Sequence, residues 1–217
     1  MLATLPHDIF AAQACGGVTG DIMVLSLGGN DIVLSPSFST IAALIGALCA
    51  SSISSLESGT AWGLNTLIKL FRDDMQTYIN ALYDAGARPS AIIVLFPYLP
   101  ERAGPHTQSS WADFSLKLLG YDSAPEKLER VMRAVYQRAT CQLQPPPHSQ
   151  TQTHHTRIIP LALFDGVLDS ASGSGDFIAR VEPSAKGSAK IAQRLAEIIQ
   201  RIENEKGAEE SITGARR

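Results

Sequence analysis

The apolar run Ile22-Met-Val-Leu-Ser-Leu27 passes straight into Gly28-Gly29-Asn30-Asp31, and this junction constrains the fold more than any other stretch. A run interrupted only by Ser26 reads as a buried strand of a parallel sheet rather than as an alternating, half-exposed one. The glycines let the chain turn sharply and let its backbone approach a ligand. Asn30 then sits just beyond the strand's carboxyl end, where open α/β sheets place their binding crevices.

The segments that follow supply the rest of an α/β unit. Between Thr60 and Ala85, residues Leu64, Leu67, Ile68, Phe71, Met75, Tyr78, Ile79 and Leu82 recur at three- and four-residue steps. That spacing predicts one long amphipathic helix, with Gly86 where a C-cap glycine belongs. Ala91-Ile-Ile-Val-Leu-Phe96 is a second apolar run, closed by Pro97 and Pro100. Strand, crossover helix and strand make the two strands parallel. Arg157–Phe164 is a third run, and Pro160 inside it points to an edge position or a bulge.

Around this unit the sequence predicts short helices over 8–14 and 111–119. A longer one follows Ser123, which reads as the N-cap of a capping box with Glu126. Pro183-Ser184 opens a last helix whose apolar face is Ile191, Leu195, Ile198, Ile199 and Ile202. The Ser/Pro-rich loop at 35–39, the apolar stretch 41–50 and the serine cluster 51–58 read as an insertion or lid over about 35–60. The expected organisation is one domain over residues 1–206 and a flexible tail over 207–217.

Composition narrows the function classes. Of 217 residues, 45% are apolar and 18% charged, the balance of a soluble globular chain. A net charge of −3 argues against nucleic acid or an anionic membrane as the main partner. The apolar stretch 41–50 is far short of the roughly 20 residues that span a bilayer, and a buried helix explains it better. Met1–Asp8 does not read as a secretory signal, because it lacks a basic region and is broken by Pro6. Together with three scattered cysteines, Cys15, Cys49 and Cys141, this favours a reducing, cytoplasmic setting. Neither cysteines nor histidines show metal-ligand spacing, His154-His155 read as a solvated pair, and no glycine-rich phosphate loop is present. No cofactor or metal is expected.

Two blocks resemble the SGNH (GDSL-type) hydrolase family. Gly28, Asn30 and Asp31 resemble its Gly-x-Asn-Asp block after an apolar strand. Pro183, Ser184 and Gly187, followed by the apolar helix from Lys190, resemble its last block, and the resemblance spans most of residues 20–203. It implies a three-layer α/β/α sandwich with a parallel, flavodoxin-like sheet. It also implies hydrolysis of carboxylic or acetyl esters by a serine nucleophile. By the same resemblance Asn30 is the oxyanion donor, Gly28 and Gly29 contact substrate, and Asp31 holds the turn.

The chain departs from the family in three places. No Gly-Asp-Ser nucleophile block is present; the nearest string is Gly20-Asp21-Ile22. Gly16, Gly17 and Gly20 do not reproduce the family's glycine block. Glu182 stands at the family's catalytic histidine and Ala179 at its aspartate. A carboxylate of ordinary pKa near 4.3 becomes a useful base only if burial raises it by roughly two units; otherwise Glu182 is an anion favoured by the start of the last helix. These departures lead us to expect an N-terminally truncated SGNH-like chain, with the Ile22 strand at a sheet edge. Three functions fit: an ester hydrolase acting on a small-molecule ester, an inactive pseudo-enzyme that keeps the Asn30 crevice for an acyl or glycan ligand, or an interaction domain using segment 41–50. The sequence leaves the oligomeric state open.

Overall fold

The computed structural model describes residues 21–26, 38–50, 52–105, 107, 111–146 and 156–214. Three strands, β1 (Ile22–Ser26), β2 (Ala91–Phe96) and β3 (Arg157–Ala162), form a parallel sheet in the order β1-β2-β3. The register is in step throughout: Ile22 lies opposite Ala91 and Ala91 opposite Arg157. β2 is central and buried along its whole length. Its alternate side chains divide between two cores, as the period of a strand requires. Ile92, Val94 and Phe96 join one core; Ala91, Ile93 and Leu95 join the other.

β1 and β2 both read in the sequence as continuous apolar runs, but only β2 is buried along its whole length. β1 pairs with β2 alone among the described strands, and Val24 is 41% exposed. β3 takes the opposite edge of the described sheet, where Pro160 faces Val94 and its missing N–H is tolerated.

Helices pack on both faces. On the larger core lie α1 (Phe38–Ile45), α2 (Ile53–Ser58), α3 (Leu64–Lys69), α4 (Met75–Asp84) and α6 (Pro125–Arg138). A short helix α5 (Asp113–Leu118) flanks this side, and α7 (Ala185–Gly214) covers the other through Ile198 and Ile202. Phe96 anchors an aromatic cluster, with ring centroids 4.9 Å from Phe71, 5.5 Å from Tyr136 and 5.8 Å from Phe164.

Three local expectations change. The crossover helix starts at Leu64 rather than Thr60, and a π-helical turn, Leu70–Asp74, separates α3 from α4. The late start has a packing cause: a Cβ on Gly63, whose φ is +84°, would stand 2.1 Å from the Ala43 carbonyl oxygen. The glycine lets α1 cross close to the head of α3. The serine cluster, read as part of an insertion or lid, forms a helix on the core: Ser52 caps α2 by accepting from the Ser55 N–H at 3.1 Å, and Leu56 anchors it there. Within 41–50, Ala43, Leu44, Ala47 and Leu48 are buried, as the buried-helix reading expects. Ser123 does not cap α6; its hydroxyl donates to the Gly120 carbonyl at 3.0 Å, and Pro125 at the first turn starts the helix.

At its other end, α7 continues to Gly214, beyond Gly207 where the sequence predicts a frayed tail. No described helix is long and apolar enough to cross a membrane. The predicted helix over 8–14 lies outside the described residues.

Candidate functional site

The carboxyl ends of β1 and β2 lie side by side, with Ser26 opposite Leu95. Just beyond them Phe96, Pro97 and Tyr98 form one wall of a pocket of about 280 Å³. Its other walls come from Leu44 and Ile45 of α1, Leu116 and Leu119 at α5, and Val131 and Val135 of α6. Val181, from the turn before α7, closes it. No charged side chain lines the pocket among the described residues; its side chains with polar groups are Thr40, Ser115, Tyr98 and Trp111. The Tyr98 hydroxyl is engaged, donating to the Val181 carbonyl at 2.8 Å. Burial, and secondarily the charge of Glu182, pushes the Tyr98 phenol above its ordinary pKa. This wall therefore stays neutral. A wider depression of about 590 Å³, lined by Asn65, Lys69, Arg72 and Arg138 among others, is polar and open and lies away from the strand ends.

A buried ionic frame holds the pocket's rim. Between the short antiparallel strands β4 (Phe177–Ile178) and β5 (Glu182–Pro183), Ala179 and Arg180 have φ of 49° and 68°. These are left-handed values that non-glycine residues adopt at a cost. The turn aims the Arg180 guanidinium inward, where it is 2% exposed. It donates to Asp113 Oδ1 at 2.9 Å, to Asp122 Oδ1 at 2.5 Å and to the Glu101 carbonyl at 3.1 Å. Burial opposes its charge, but the hydrogen bonds to Asp122 and Asp113 outweigh burial and raise its pKa. Glu101 is buried too, its Oε1 accepting from the Gly173 N–H at 2.7 Å. The Tyr121 hydroxyl donates to the Pro100 carbonyl at 2.6 Å, and burial pushes that phenol up to about 12. The turn before α7, the segment after β2 and α5 are thus tied into one rim.

A second buried charge fixes the head of α7. Asp176 Oδ2 accepts from Lys190 Nζ and from the Asp169 N–H at 2.9 Å. Lys186 Nζ stands 3.3 Å from Oδ1, an ion pair without hydrogen-bond geometry. Ser184 caps the helix: its Oγ accepts from the Gly187 N–H at 3.1 Å and donates to the Gly175 carbonyl at 2.6 Å. Gly187 is glycine because a Cβ there would meet the Asp176 carbonyl oxygen at 2.2 Å.

The sequence-derived candidates are distributed unevenly over this site. Gly28, Gly29, Asn30 and Asp31 lie outside the described residues, as do His7, His106, His154, His155 and Cys15. Glu182 is on β5 with its carboxylate exposed and, among the described residues, without a hydrogen bond. The burial that would make it basic is not there. Cys141 is exposed and unpaired by any disulfide. Among the described residues no group of His, Cys, Asp or Glu is arranged to hold a metal ion.

Sequence reasoning missed Arg180, Asp113, Asp122, Glu101 and Asp176 as a set. No local pattern marks them, because the Arg180 partners lie 58 and 67 positions away. Comparison with family models, curated proteins and solved structures finds no match.

Proposed function

We propose that this chain is an SGNH-hydrolase-like domain that receives the apolar part of a carboxylic ester in the pocket beyond β2. One observation carries the reading: an apolar pocket lies just beyond the carboxyl ends of β1 and β2. Val181, next to Glu182, is in its wall, and the strand leading to Gly28 ends beside Leu95, adjacent to the lining residue Phe96. A pocket at the carboxyl ends of parallel strands is the expected ligand position in open α/β sheets. The same reading extends the three-strand sheet to the flavodoxin-like three-layer sandwich of that family.

By the resemblance the Asn30 side-chain amide donates to the ester carbonyl oxygen, where acyl transfer would build negative charge, a contribution of about 2.7–4 kcal/mol; the attacking hydroxyl, which the family draws from its Gly-Asp-Ser block, has no counterpart among the two blocks of this sequence. Gly28 and Gly29 let the backbone come close to the ester. The exposed Glu182 carboxylate favours a second reading, in which the domain binds the ligand without turning it over.

Purified protein assayed on p-nitrophenyl butyrate separates the two. Turnover that falls about 10²–10³-fold in Asn30→Ala supports the hydrolase. No turnover, with thermal stabilisation by the free acid, supports the binding domain.

A further inference from the structure

We infer that the pocket takes a single aliphatic acyl chain of medium length, on the order of nine carbons, in preference to an acetyl group or a sugar. The inference rests on the proposed ester reading for what the chain is attached to. The preference itself comes from the chemistry and size of the pocket.

Chemistry excludes a polar occupant. A sugar needs donors and acceptors for each hydroxyl it brings out of water, and each one left unpaired costs binding. Here the lining offers no charged group among the described residues, and the Tyr98 hydroxyl is already committed to Val181. Phe71, Phe96, Leu116, Val131 and Val135 present aliphatic and aromatic carbon.

Size sets the length. With about 30 Å³ for each water-sized group, a volume of 280 Å³ holds roughly nine methylene-sized groups. An acetyl group would leave most of that lining without partners. At the mouth Leu118 is 61% exposed and Trp111 52% exposed, yet both also line the pocket. An apolar surface therefore runs from solvent into the cavity, so a chain can enter end-on with its carboxyl group still in water.

The test is a chain-length series of saturated fatty acids from 2 to 16 carbons, titrated calorimetrically into the whole protein below their aggregation concentrations. Each methylene should tighten binding about fourfold until the pocket is full, near octanoate to decanoate, and longer chains should gain nothing further. Leu116→Trp, which fills the cavity, should move that limit to shorter chains. Leu118→Asn, at an exposed position that does not threaten folding, should weaken octanoate by about threefold to tenfold. Equal affinity from acetate to decanoate, or affinity still rising beyond 12 carbons, would overturn the inference.

Parallel assays on p-nitrophenyl esters of the same lengths keep the two readings apart. A peak in kcat/KM at the same length supports both. Acid binding that peaks while no ester is turned over keeps the acyl pocket and removes the hydrolase. Ester turnover fastest on acetate keeps the hydrolase and removes the acyl pocket.

Discussion

Arg180 Nη2 lies 2.5 Å from Asp122 Oδ1, across 58 positions of chain, and the contact is made from a backbone whose φ of 68° only a few non-glycine residues adopt. The ion pair and the unusual backbone explain each other. The left-handed turn points the guanidinium inward, and two carboxylates plus the Glu101 carbonyl offset the cost of the turn. Arg180 also joins the β4–β5 turn to α5, where Val181 packs against the cluster of Ala112, Leu116 and Tyr121.

Removing that side chain should be expensive. Arg180→Ala is expected to lower unfolding free energy by about 2–3 kcal/mol, less than for a fully buried pair because Asp113 and Asp122 remain partly exposed. Arg180→Lys should recover under half, since one ammonium cannot fork between two carboxylates. Urea denaturation measures both; a loss within 0.5 kcal/mol for Arg180→Ala would contradict the role given to it.

Asp176 makes stability depend on acid. Burial alone would raise its pKa, but Lys190, the Asp169 N–H and Lys186 together bring it below the ordinary carboxylate value. A folded-state pKa below the unfolded one contributes stability that is fully present above about pH 4. That contribution is lost as pH falls through the folded-state value. Stability measured between pH 7 and pH 2.5 should therefore fall more steeply in the native protein than in Asp176→Asn, which should already be weaker at neutral pH.

Gly187 should resist even the smallest side chain. Its Cβ would overlap the Asp176 carbonyl oxygen, which is backbone and cannot rotate away. Gly187→Ala is expected to cost about 1–3 kcal/mol, read as a lower thermal midpoint. An unchanged midpoint would mean that α7 slides along the sheet at little cost.

Glu182 should reveal itself through Tyr98. Burial is the larger cause of the raised phenol pKa and the Glu182 charge the smaller, so Glu182→Gln should shift Tyr98 ionisation downward. Ultraviolet titration, with Tyr98→Phe as the difference control, isolates that phenol. An upward shift would reverse the electrostatics inferred for this wall.

Much of the scaffold could be read before any tertiary contact was known. The apolar run 91–96 specifies β2, and the three- and four-residue spacing from Leu64 to Leu82 specifies the crossover between two parallel strands. Pro160 places β3 at an edge, and Pro183-Ser184 places the head of α7. These follow from local chemistry: the side-chain period, the fixed φ of proline and the reach of a serine hydroxyl. Reading Ser123 as a cap failed because Pro125 begins the helix one residue later than a serine cap requires.

The sequence by itself determined the three strands of the sheet, that they run parallel, and the helices that follow Leu64, Pro125 and Ser184. Tertiary structure decided that β2 rather than β1 is buried on both faces, and that an apolar pocket forms from residues between Thr40 and Val181. It also decided that Arg180 reaches two carboxylates through a left-handed turn. Local pattern depends on neighbours a few residues apart. A cavity wall or a buried ion pair depends on side chains brought together from distant parts of the chain, and only packing fixes those distances.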